Sequence, residues 1–104
     1  MAQPGGGLNP RQRAHLKSLA HPLRPIAQVG KGGVDEDVAR SLADAFQNRE
    51  LLKVKVLESA PTSAKETAEQ LGVRVSGAKV VQVIGRTIVL YRQHPDRPEI
   101  RLPT

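Results

Sequence analysis

The residues of this chain best suited to chemistry are Gly30-Lys31-Gly32-Gly33, a glycine stretch carrying one cation. Glycines let a backbone come close to a ligand, and the amides that open a helix favour an anion. A phosphate is the natural ligand for such a loop. The spacing excludes two common versions of it. A nucleoside-triphosphate loop needs a four-residue gap and a Lys-Ser/Thr pair, and both are missing. A dinucleotide fingerprint needs three spaced glycines, and only Gly30 and Gly33 could serve. Asp35, Glu36 and Asp37 follow directly and compete for the same helix start, so Lys31 is expected to supply most of the attraction.

Gly-x-x-Gly is also the spacing with which KH-type modules clamp a nucleic-acid backbone, although the same spacing is common in plain turns. Other chemistries find little support. With no cysteine there is no disulfide, thiolate nucleophile or cysteine-ligated metal. His15, His21 and His94 have no zinc-ligand spacing, and no nucleophile elbow or catalytic carboxylate pair is present. His15 reads as a helix-surface residue, and His21 either as a turn residue before Pro22 or as an RNA contact. The acids at 35–37 read as partners of a helix dipole rather than as a metal site. Phe46 and Tyr91 are the only aromatics. Phe46 falls in a core stripe, and Tyr91 on a strand reads as packing or as a base contact. A platform that stacks bases on exposed rings is therefore excluded. Neither a cofactor nor catalysis is expected.

Charge says more about partners. Sixteen Lys/Arg against ten Asp/Glu give a net charge of +6. Residues 1–34 hold Arg11, Arg13, Lys17, Arg24 and Lys31 without a single acid, whereas the middle, 35–78, is slightly acidic and the final segment basic again. If the two ends meet, they form one positive face that attracts a polyanion and releases its counterions. Recognition would then rest on phosphate, sugar and shape, with a steep salt dependence.

Elements that could position these residues follow from periodicity. A chain of 104 residues has room for one domain. Residues 1–9 read as a flexible tail, with neither the basic nor the apolar region of a secretory signal, and residues 10–102 as the domain. A first helix opens at Asn9-Pro10, turns Leu16, Leu19, Ala20 and Leu23 inward, and stops at His21-Pro22. Pro25–Val29 reads as a short strand and leads into the glycine loop. Asp35 caps a second helix whose stripe is Val38, Leu42, Ala45 and Phe46. Residues 51–57 alternate apolar with Lys53 and Lys55, as a half-buried strand does. A third helix has capping-box spacing at Ser63 and Glu66, lines Ala64, Ala68 and Leu71 inward, and ends at Gly72. Residues 79–84 and 87–92 flank Gly85-Arg86, a hairpin signal. The order helix-strand-helix-strand-helix-strand-strand implies an α/β domain with crossover helices and an antiparallel hairpin closing a mixed sheet. The Pro- and Arg-containing segment after Arg92 is expected to be extended.

Four stretches then stand in a recognisable order: residues 16–25 around Leu19-Ala20-His21-Pro22-Leu23-Arg24-Pro25, the loop Val29–Gly33, Leu51–Val56, and Val81–Arg92. Together they resemble the CRM domain (chloroplast RNA splicing and ribosome maturation), in its bacterial stand-alone, YhbY-like form. The resemblance covers about Arg11 to Leu102. It implies a single compact α/β domain like the C-terminal domain of translation initiation factor three, with three helices and a four-stranded mixed sheet. It also implies binding of structured RNA, ribosomal RNA or precursors of the large ribosomal subunit, as a cytoplasmic assembly factor. In this sequence the implied contacts are Gly30, Lys31, Gly32 and Gly33, the basic first helix, the His21-Pro22-Leu23-Arg24 turn, and Arg86 and Arg92 of the hairpin. Arg11, Arg13, Lys17 and Arg24 would extend the track, with Lys53, Lys55, Arg86 and Arg92 as further candidates. A monomer is expected. The alternatives are a basic adaptor for an acidic protein, a general nucleic-acid binder, and a phosphate-handling subunit that would bind a mononucleotide.

Overall fold

The computed structural model describes residues 7–103. Its elements follow the expected order: α1 (Pro10–Ala20), β1 (Ala27–Val29), α2 (Glu36–Ala45), β2 (Leu51–Val56), α3 (Ala64–Arg74), β3 (Lys79–Ile84) and β4 (Thr87–Tyr91). Local chemistry accounts for most of the boundaries. Asn9 caps α1 by accepting from the Gln12 amide at 2.8 Å, and the Gln12 side chain accepts from the Asn9 amide in return. Ser63 and Glu66 repeat this box at α3. β1 is shorter than expected because Pro25 has no N–H to give to a ladder.

The sheet order is β1-β2-β4-β3. β1 runs parallel to β2, and β4 is antiparallel to both β2 and β3. The hairpin does close the sheet, but its second strand lies in the interior and its first at the edge. Gly85 has φ +57° at the first turn position while Arg86 does not share it, which is the backbone of a type II′ turn.

An interior β4 must bury both faces. Ile88 and Leu90 face Leu42, Phe46, Val54 and Leu71 beneath α2 and α3. Val89 and Tyr91 face the opposite way, into a smaller cluster with Leu8, Leu16, Ala20, Leu51 and Val81 beneath α1. The fold therefore has three layers, with α1 alone on one side. Phe46 and Tyr91 are both core residues.

Four expectations are corrected. Leu19 and Leu23 point outward, 40% and 38% exposed, because Leu16 and Ala20 suffice for the narrow seam on the sheet. Gly72 does not end α3: it lies against Val80, and packing on β3 carries the helix on to Arg74 despite glycine's low propensity. Of the expected tail, residues 1–6 lie outside the described residues, while Leu8 is buried and Asn9 is a cap. The segment after Arg92 is a tied strap. Glu50, 5% exposed, accepts from the amides of His94 (2.7 Å), Glu99 (2.8 Å) and Ile100 (2.7 Å). The His94 ring bonds the Gln47 carbonyl through Nε2 and accepts the Asp96 and Arg97 amides at Nδ1. Ile100 and Leu102 then pack on the α1-side cluster, and the Gln12 side chain donates through Nε2 to the Pro103 carbonyl.

Burial pushes the Glu50 carboxyl up, but the three amides and the nearby His94 outweigh it and hold the group below its ordinary value of 4.5. A carboxyl depressed in the folded state stabilises the fold fully above that ordinary value. The contribution drains away as the pH falls from there through the lowered native value. Glu50→Ala should cost about 2–3 kcal/mol in urea unfolding at neutral pH, by stranding buried amides. The gap between wild type and variant should narrow as the pH falls below 4.5.

Candidate nucleic-acid interface

The glycine loop is a turn at one end of the sheet. The Gly33 amide donates to the Gly30 carbonyl at 2.9 Å, leaving Lys31 and Gly32 exposed at the tip. The four residues are not equivalent. Gly33 is buried at φ +67°, and a Cβ there would lie 3.1 Å from Pro61 Cγ. It shapes the loop from within. Gly32 has no such backbone, although a Cβ would fall 3.3 Å from Asp35 Oδ2. That carboxylate accepts from the Val38 amide at 2.9 Å through Oδ1, so the start of α2 is filled by its own acid. The attraction of this loop for an anion therefore rests on Lys31.

Strand register gathers other candidates at the same end. Val29, just before the loop, pairs with Val56, and the Val56 amide donates to the Arg86 carbonyl at 2.7 Å. Gly30–Gly33 and the Gly85-Arg86 turn are thus two strands apart, about 10 Å. One pleat back, on the α1 side, Gln28, Lys55, Thr87 and Ile84 form a row across all four strands. Behind it lies the C-terminal end of α1, with exposed Lys17 and His21, and then the connector bearing exposed Arg24. The side chains of Lys31, Lys55, Arg86, Lys17 and Arg24 make no hydrogen bond or ion pair among the described residues.

Three other candidates are directed into the protein. Arg13 donates to the carbonyls of Val80 and Val81 (2.8 and 2.7 Å), at the register shift in β3. It satisfies the bulge and fastens α1 to the sheet. The Lys53 ammonium donates to the carbonyls of His21 and Leu23, closing the end of α1. Arg92 lies at the opposite end of the sheet, over the Phe46 ring at 5.1 Å and near the Ser76 carbonyl. Arg11 is exposed on the first turn of α1, away from the loop. The α1 layer, residues 10–34, holds no acid, while α2 and α3 carry Glu36, Asp37, Asp44, Glu66 and Glu69. The acids of α2 and α3 are accompanied there by Arg40, Lys65 and Arg74. Sequence reasoning missed Gln28, Gln82 and Ile84, whose shared face with Lys55 emerges only from strand pairing.

Residues 8–92 match the CRS1 / YhbY (CRM) domain. The chain belongs to this family. The chain is 44% identical over 96 residues to "Probable RNA-binding protein YqeI" of Bacillus subtilis, covering 92% of this chain and 99% of that one. It is 38% identical over 96 residues to a Haemophilus influenzae protein named "RNA-binding protein", covering 92% of this chain and 95% of the other. The solution structure of the hypothetical protein SAV1595 from Staphylococcus aureus superposes with a TM-score of 0.77 at 43% identity, covering 93% of this chain and 100% of that one.

The different burdens of the loop glycines can be separated. Gly33→Ala should destabilise the CRM domain by about 1–2 kcal/mol, because alanine is strained at positive φ. Gly32→Ala should cost clearly less, and urea melts of the two variants side by side would check the order.

Proposed function

We propose that this CRM domain binds structured RNA without catalysis, gripping the phosphate backbone at the end of the sheet where Lys31, Lys55 and Arg86 converge. The observation that carries the reading is that cluster of unpaired cations, next to an acid-free α1 layer. Lys31 and Gly32 approach the backbone from the loop tip, and Gly30 and Gly33 hold the turn that presents them. Lys17, His21 and Arg24 continue the contact on the α1 side, with Arg11 at its far end. Arg13, Lys53 and Arg92 serve it by holding the layers together. The names of the relatives support RNA as the ligand. The target we propose is ribosomal RNA in precursors of the large subunit, met in the cytoplasm by a monomeric assembly factor.

Lys31→Ala tests the grip without adding an atom beside the Asp35 cap. It should weaken binding to different structured RNAs about equally and lower the slope of log K against log salt by about 1. Unchanged affinity and slope near physiological salt would remove the loop from the interface. In a sucrose gradient at low magnesium, wild type should travel with the large subunit or its precursors and the variant should stay near the top. Wild type at the top as well would sink the ribosomal target.

A further inference from the structure

A groove of about 440 Å³ runs between α1 and the sheet, beside the proposed interface. Its volume falls within the roughly 300–1,000 Å³ of small-molecule sites. Ala20 and Val89, both buried, form its floor, and Ile84 forms an apolar wall, 53% exposed. Its rim is polar, from Lys17, His21, Gln82 and Lys53. The Gln82 amide, which carries both donors and an acceptor, has no partner among the described residues. The Lys53 ammonium uses two of its three donors on carbonyls and keeps one.

We infer that this groove seats one unpaired nucleobase of the bound RNA, with Ile84 against its face and Gln82 reading its edge. This rests on the RNA reading above and specifies which part of an RNA is recognised. Three observations favour a nucleotide as the occupant. The rim is cationic and holds no acid, which suits a base that brings its phosphate with it. Ile84 pairs with Thr87 beside the Gly85-Arg86 turn, so the groove is continuous with the proposed phosphate grip. Finally, both aromatics are buried, so a splayed-out base has no ring to stack on and needs an apolar wall instead. An amide that both donates and accepts can match a base edge, whereas a phosphate offers acceptors only. The groove thus adds a preference for loops and bulges to a surface that otherwise reads only backbone.

The test measures affinity by fluorescence anisotropy for three short RNAs: a fully paired duplex, the same duplex with one bulged nucleotide, and that bulge made abasic. Wild type should bind the bulged RNA about tenfold more tightly than the other two. Ile84→Ser, at an exposed position and without new charge, should abolish that preference while leaving duplex affinity unchanged. Gln82→Ala should reduce differences among the four bulged bases, and thermal melts would verify that both variants fold. Equal affinity of wild type for the bulged and abasic RNAs, or an undiminished preference in Ile84→Ser, would overturn the inference and leave the backbone grip standing. No binding to any of the three would overturn the RNA reading itself.

Discussion

One carboxylate holds the basic layer of this protein in place. Glu50, at the junction of α2 and β2, is taken out of water, and three amides of a strap more than forty residues away replace its solvation. An isolated buried carboxylate would be very costly, and an unpaired buried amide would add a smaller cost of its own; each resolves the other. The strap so fixed lays Ile100 and Leu102 on the cluster beneath α1 and reaches Gln12 of that helix. Without it, the apolar seam of α1 on the sheet would be Leu16 and Ala20, with Arg13 and Lys53 as its polar ties.

The second constraint is electrostatic. A domain this basic leaves many cations without an acid partner, and the longest acid-free stretch, residues 1–34, includes α1. Acids sit on α2 and α3, where the first-turn carboxylates of α2 also serve its dipole. On the α1 side Arg13 and Lys53 are spent on backbone carbonyls, while Lys17, Arg24, Lys31, Lys55 and Arg86 have no partner among the described residues. The same charge excess thus fastens the first helix and furnishes the surface proposed to meet RNA.

Much of this was legible in the sequence wherever the signal was local. The Ser63-Glu66 capping box, the Asn9-Pro10 helix start, the Asp35 cap, the α2 stripe and the Gly85-Arg86 turn depend on residues within a few positions of one another. The glycine loop was legible as a loop, but its division of labour was not, since the positive φ of Gly33 and its closeness to Pro61, far along the chain, emerge only in the fold. The same limit explains the remaining differences. Glu50 resembles any other acid until β2 and the strap meet, and Arg13, Lys53 and Arg92 look like Lys31 until their carbonyl or ring partners are in place. Gly72 carries a stop signal that packing on Val80 overrides. Leu19 and Leu23 keep the helical period, but the seam was narrower than the period allowed.

The strand order also decides when a growing chain can fold. β4 holds an interior place in the sheet yet is the last strand to be made. Until residues 87–91 have left the ribosome, β2 carries an unpaired edge and β3 has no strand beside it. The α1 helix, made first, must wait for partners such as Val80 and Val81, 67 and 68 positions later. The nascent protein therefore spends nearly all of its synthesis with the Arg13 anchor of its most basic segment unmade and β2 open along one edge. Closure comes as a single late event, when one strand zips the two halves of the sheet together.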